Sequence, residues 1–188
     1  MMKSKVRNAL GNLPTFFHAL LTTIFIISFY SIYKPNWFTT AADLIDPWFY
    51  WGAGNNYPLS YDFGLGQTYY LQRFAIIIPQ QIAQLIAGPY YSQLLLSSIY
   101  IFILTYIIFL VCRELNDRKN GYIVALLFFS NSKIIGTLSM SYNQGVVLSC
   151  YFIAIYLLFR YRININWKYL FCIGILISCI SNAYIAIG

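Results

Sequence analysis

Charge is scarce in this sequence: Asp, Glu, Lys and Arg make up 9% of its 188 residues, and only five of them are acidic. Hydrophobic residues reach 60% and the mean hydropathy is +0.63, more apolar surface than a soluble domain of this size can enclose in one core. An ordinary water-soluble globule is excluded, and the bilayer is the natural solvent. Histidine is rarer still. His18 stands alone, early in an apolar run, where a packed or interfacial imidazole is expected rather than a metal ligand or a catalytic base. Cys112, Cys150, Cys172 and Cys179 show neither a CxxC pair nor Cys/His ligand spacing, so they read as membrane-packing residues. A phosphate-cradling loop is missing too, because Gly64-Leu65-Gly66 lacks the following lysine and the strand-to-helix setting. Repeats, low-complexity tracts and soluble linkers are also missing, and one membrane domain over residues 1–188 is the economical division.

What charge there is lies beside the apolar runs. The net charge of +7 would suit a nucleic-acid partner if it formed a patch. Instead Lys3, Lys5 and Arg7 precede the first run, Arg113, Arg118 and Lys119 sit between two others, and Arg160, Arg162 and Lys168 between the next two. The positive-inside bias accounts for these nine of the twelve cations, so no nucleic acid is expected.

A spanning helix needs about 20 apolar residues to cross roughly 30 Å of hydrocarbon. The first such run is Thr15 to Tyr33, preceded by cations and followed by Lys34-Pro35-Asn36-Trp37, so its amino end should face the cytoplasm. Thr40-Ala41-Ala42 offers small residues for signal cleavage, but the run is long for a signal core, and a retained anchor is the reading taken. Ser92 to Cys112, Gly121 to Met140, Gln144 to Phe159 and a stretch from Trp167 onward supply four more. The expected architecture is all-α: a polytopic transmembrane helical bundle of about five spans in the plasma (inner) membrane. The apolar ending at Ile187-Gly188 suggests the amino-terminal part of a larger protein.

Polar chemistry gathers in the one long loop, residues 34–90. It holds three of the five acids, Asp43, Asp46 and Asp62, with Arg73 and the turn formers Gly52, Gly54, Pro58, Gly64 and Gly66. In Asp46-Pro47-Trp48-Phe49-Tyr50-Trp51 a carboxylate precedes a dense aromatic cluster. Trp48 and Tyr50 suit either an interfacial belt, the commoner use, or a platform for the apolar faces of sugar rings. Farther on, Leu71, Phe74, Ala75, Ile78, Ile82, Leu85 and Ile86 recur at helical spacing while Gln72, Arg73, Gln80, Gln81 and Gln84 fall elsewhere. This predicts two juxtamembrane amphipathic helices that break near Ile78, with Pro79 in a first turn and Gly88 just past the end. Arg73 would then project toward lipid headgroups or a bound phosphate. In the third span Ser130-Asn131-Ser132-Lys133 interrupts the apolar run. Lys133 either faces a wet cavity or a ligand, or snorkels outward from a span that ends early.

The order of these features resembles the amino-terminal half of type C fold (GT-C) membrane glycosyltransferases that use lipid-phosphate sugars, the group containing protein O-mannosyltransferases and bacterial aminoarabinose transferases. The likeness runs from about residue 15 to 160 and is carried by Asp46 in Asp-Pro-Trp-Phe-Tyr-Trp, by Thr68-Tyr69-Tyr70-Leu71-Gln72-Arg73-Phe74 followed by Pro79, and by Arg113-Glu114-Leu115. It implies transfer of a sugar from a polyprenyl-phosphate donor to a hydroxyl of an acceptor glycan, lipid or protein at the non-cytoplasmic face. Asp46, or alternatively Asp43, would be the general base. Arg73, and second to it Lys133, would balance the lipid phosphate, with Trp48, Tyr50 and Tyr70 at the substrate. The implied donor is the lipid-linked sugar; the resemblance fixes no bound cofactor and is compatible with a divalent metal. One departure stands out: the second external turn, Ser141-Tyr142-Asn143-Gln144, lacks the acid that related chains often carry there. The competing reading is a non-catalytic polytopic protein, or part of a transporter or lipid flippase, in which Arg73 and Lys133 hold an anionic headgroup.

Overall fold

The computed structural model describes residues 14–33, 52, 74–115, 118–139 and 143–184, and outside the isolated Gly52 nearly all of these lie in helices. In chain order they are α1 (Thr15–Tyr33), α2 (Phe74–Glu114), α3 (Arg118–Ser130), α4 (Ser132–Ser139), α5 (Asn143–Ile163) and α6 (Trp167–Tyr184). No strand occurs among the described residues. Three helices, α1, α2 and α5, are long and apolar enough to cross a bilayer, and the bent pair α3 and α4 makes a fourth if it is counted as one span.

Large apolar side chains fill the core, but α1 also turns many of them outward: its buried face mixes Thr15, His18, Ala19, Thr22 and Thr23 with Ile26 and Tyr30, while Phe16, Leu21, Ile24, Phe25, Phe29 and Ile32 are exposed. Large apolar side chains on the outside, with small or hydroxylated ones among those between helices, is the arrangement lipid imposes. Hydroxyls within the helices turn back on their own backbone: Thr22 donates to the His18 carbonyl at 2.8 Å and Thr105 to that of Ile101 at 2.7 Å. Their polarity is thereby hidden from hydrocarbon. Glycine permits the closest approaches. A Cβ on Gly145 would meet the Tyr100 ring at 2.5 Å, and one on Gly121 the Phe109 ring at 2.5 Å.

α2 carries the sharpest bend. Gly88 adopts φ 74°, ψ 165°, a region essentially reserved for glycine, and divides the helix into a short arm, 74–87, and a long arm, 89–114. A straight helix would hold residues 80 and 92 about 18 Å apart. Instead Gln80 Nε2 donates to Ser92 Oγ at 3.3 Å, so the short arm folds back over the start of the long one. The break expected near Ile78 does not occur. Pro79 lies inside the short arm with helical backbone on either side, forgoing the single hydrogen bond to the Ala75 carbonyl that its missing N–H cannot make. The short arm does not divide into a polar and an apolar face: Ile76, Ile77 and Ala83 are buried together with Gln80 and Gln84, while Ile78, Ile82, Leu85 and Ile86 are exposed.

The interruption at Ser130-Asn131 is a true break, with α3 and α4 meeting at 77°. Asn131 caps α4, its Oδ1 accepting the Lys133 N–H at 3.0 Å and its carbonyl the Ile134 N–H at 3.0 Å. A carbonyl left over at the end of α3, that of Phe129, accepts the Tyr30 hydroxyl of α1 at 2.7 Å. These groups of the broken ladder are thus satisfied within protein, as hydrocarbon requires. The core joins all five of the first helices around Ile26, Leu96, Tyr100, Leu104, Phe129, Leu138 and Val146.

Candidate functional site

The bundle has two chemically distinct ends. Glu114, Arg113 and Arg160 mark the basic end, and Tyr33, Phe74 and Asn182 lie toward the loop end, because the first turn of α6 stands beside Arg160 through Tyr169 and its other end reaches the short arm of α2. At the loop end the short arm needs a cap. Asn182 of α6 supplies it, its Oδ1 accepting the Ala75 N–H at 2.9 Å, so a side chain more than a hundred residues away fixes where this helix starts.

Below that cap opens a groove of about 880 Å³. The short arm lines one wall with Phe74, Ile78 and Pro79, α5 contributes Val146 and Cys150, and α6 forms the other side with Phe171, Gly174, Ile175, Ser178 and Asn182. Its lining is almost wholly apolar. The Ser178 hydroxyl is turned onto the Gly174 carbonyl at 3.0 Å, and a Cβ on Gly174 would meet nothing within 4 Å. From Phe171 to Asn182 the groove runs about 16 Å along α6, about half of the ~30 Å hydrocarbon core and so the depth of one leaflet. A cleft of this size and lining suits a hydrocarbon chain.

Beside the groove a polar seam crosses the core. Gln93 Nε2 donates to the Ser139 carbonyl at 2.5 Å and to Ser97 Oγ at 3.3 Å, and Ser97 Oγ donates to the Leu138 carbonyl at 3.0 Å. The long arm of α2 thereby caps the C-terminus of α4. With the Gln80 to Ser92 and Ser92 to Pro89 bonds, the latter at 3.0 Å, the seam pins both broken helices to one another.

Asp43, Asp46, Trp48, Tyr50, Tyr70 and Arg73 lie outside the described residues. Lys133 is exposed at the second position of α4, and its ammonium has no ion-pair partner among the described residues. It does not line the groove. His18 is buried in a cluster at the basic end, its Nδ1 hydrogen-bonded to the Tyr122 hydroxyl and its ring stacked on Phe109 at 5.8 Å. Among the described residues no three His, Cys, Asp or Glu side chains converge as metal ligands.

Sequence reasoning passed over Asn182 and the Gln93/Ser97 pair. The signal for the pair was present, since two polar residues four apart in an apolar span share a helix face and are expensive in lipid without partners. No protein-family model, curated protein or solved structure matches this chain.

Proposed function

We propose that this chain is a membrane glycosyltransferase, or the amino-terminal portion of one, that transfers a sugar from a polyprenyl-phosphate donor to an acceptor hydroxyl at the non-cytoplasmic face. The observation that supports the reading is the apolar groove, one leaflet deep, whose upper end is Phe74, the residue next to Arg73 in the sequence. A polyprenyl chain enters from the bilayer along the groove and its phosphate stays at the surface. In this reading the amino terminus is cytoplasmic, α6 is the fifth span, residues 34–73 stand outside the plasma (inner) membrane, and the short arm of α2 lies in its outer leaflet.

The chemistry follows from the loop residues. The acceptor oxygen attacks the anomeric carbon as its proton passes to the Asp46 carboxylate, with Asp43 the alternative base. The bond from that carbon to the phosphate oxygen breaks, and the lipid phosphate leaves with the electron pair. Arg73 offsets its charge through a guanidinium that can hold two phosphate oxygens at once. Trp48, Tyr50 and Tyr70 hold the sugar, and Lys133 is a second cation at the same end. The transfer inverts the anomeric centre. Asp46→Asn in the full-length protein is expected to abolish transfer while insertion and accumulation stay normal, and retained transfer would remove Asp46 from the base role. Gly174→Phe, which fills the groove, is expected to raise the KM for a long-chain donor and leave a short-chain donor unaffected.

A second reading, a transporter or flippase fragment, draws on the broken span at Asn131, a device common where helices line a transport path. Lipid scrambling by the reconstituted protein without any sugar transfer would favour it.

A further inference from the structure

The basic end holds an arrangement that the transfer reaction does not use. Arg160 of α5 donates from Nη1 to Glu114 Oε1 at 2.7 Å, and Arg113 of α2 donates from Nη2 to the same oxygen at 3.4 Å. The two guanidinium nitrogens therefore stand within 6.1 Å of each other, the sum of those two distances. Each guanidinium has five N–H donors in a fixed fork, so most of the donor capacity of the pair remains after Glu114 is satisfied. Tyr169 of α6 stands beside Arg160.

The charge does not balance. Six cations of the described residues at this end, Arg113, Arg118, Lys119, Arg160, Arg162 and Lys168, stand against one described carboxylate, Glu114, with which Arg113 and Arg160 pair. Both arginines of the pair are partly open, at 40% and 32% of their side-chain surface. Leu115, Ile163, Ile165 and Trp167 are exposed around them, so the cluster lies at the level where hydrocarbon gives way to headgroups. Glu114 holds two like charges together in the geometry that a phosphodiester, with two non-bridging oxygens, can bridge.

We propose that the Arg113–Glu114–Arg160 cluster binds the phosphodiester of one anionic phospholipid in the leaflet at the basic end, clamping the ends of α2, α5 and α6. The inference requires only that the protein is embedded in a bilayer, and it stands or falls separately from the glycosyltransferase reading. A lipid bound there supplies the counter-charge that Glu114 alone does not.

The test is native mass spectrometry of the full chain released from phosphatidylcholine nanodiscs containing phosphatidylglycerol, counting the anionic lipids retained. The expected result is retention of phosphatidylglycerol over phosphatidylcholine, about fivefold weaker in Arg160→Gln and in Arg113→Gln, and changed by less than about twofold in Arg162→Gln. Equal losses from all three variants would overturn the site in favour of diffuse surface charge. Displacement of the lipid by inorganic phosphate would overturn the lipid as its ligand. Should either arginine variant fail to fold, Glu114→Gln, which leaves both guanidiniums in place and frees their donors, is expected to retain phosphatidylglycerol more tightly, and weaker retention overturns the proposal.

Discussion

Replacing Gln93 by Leu separates two opposed effects. A soluble-protein argument about apolar cores favours the change, since Gln93 is 2% exposed among aliphatic neighbours and Leu is the better residue in hydrocarbon. Against this, Gln93 Nε2 is a donor to the Ser139 carbonyl at 2.5 Å, and that carbonyl belongs to the last residue of α4, among the helix-end carbonyls that receive no N–H from within their helix. An interhelical hydrogen bond in a membrane contributes about 0.6 kcal/mol on average and about 1.7 at most, and an acceptor left buried without a partner costs about 1–3 kcal/mol. The second effect wins, and Gln93→Leu is expected to destabilise by about 2 kcal/mol. Ser97→Ala, which removes the 3.0 Å bond to the Leu138 carbonyl, should cost about 1 kcal/mol. The double variant should fall short of their sum because the two side chains also bond each other at 3.3 Å. Ser98→Ala, whose hydroxyl reaches only the Leu94 carbonyl of its own helix at 2.6 Å, should change stability by less than about 0.5 kcal/mol. Reversible unfolding of the purified protein in bicelles with increasing sodium dodecyl sulfate measures all four. A Gln93→Leu variant as stable as the parent would refute the claim that capping the broken helix holds this end of the bundle.

Other outcomes follow from the same contacts. Gly88→Ala places a Cβ on a backbone at φ 74°, ψ 165° and should cost about 1–3 kcal/mol, with the short arm of α2 swinging away from Ser92; a crosslink between cysteines placed at 80 and 92 reports that loss. Gly145→Ala and Gly121→Ala push a methyl to within 2.5 Å of the Tyr100 and Phe109 rings and should each destabilise by about 1–3 kcal/mol. Gly174→Ala, with nothing within 4 Å, is expected to have little effect in the same denaturation.

The helices were more legible than the joints between them. The apolar run from Thr15 to Tyr33 coincides with α1, and the start at Trp167 with that of α6, because hydropathy and length are local quantities. Gly88 was legible as a helix end, yet Pro79 was misread as a helix start, since proline lowers helical stability without deciding it once tertiary packing surrounds it. The polar stretch Ser130 to Lys133 showed that something interrupts the third run. That it bends by 77° and is held by Tyr30 and Gln93 depends on partners about a hundred and about forty-six residues away, which no window of sequence contains. The same holds for the groove: Phe74, Cys150 and Asn182 are unremarkable where they stand in the sequence and meet only through the packing of α2, α5 and α6. The acids and aromatics of the loop remain readings of residue type and order.

The most direct measurement is the sidedness of the loop. With the four native cysteines replaced, Asp62→Cys in intact cells should react with a membrane-impermeant maleimide, and Asp117→Cys should react only after permeabilisation. The reverse pattern would place Asp46 and Arg73 on the cytoplasmic side and contradict both the orientation and the site built on it.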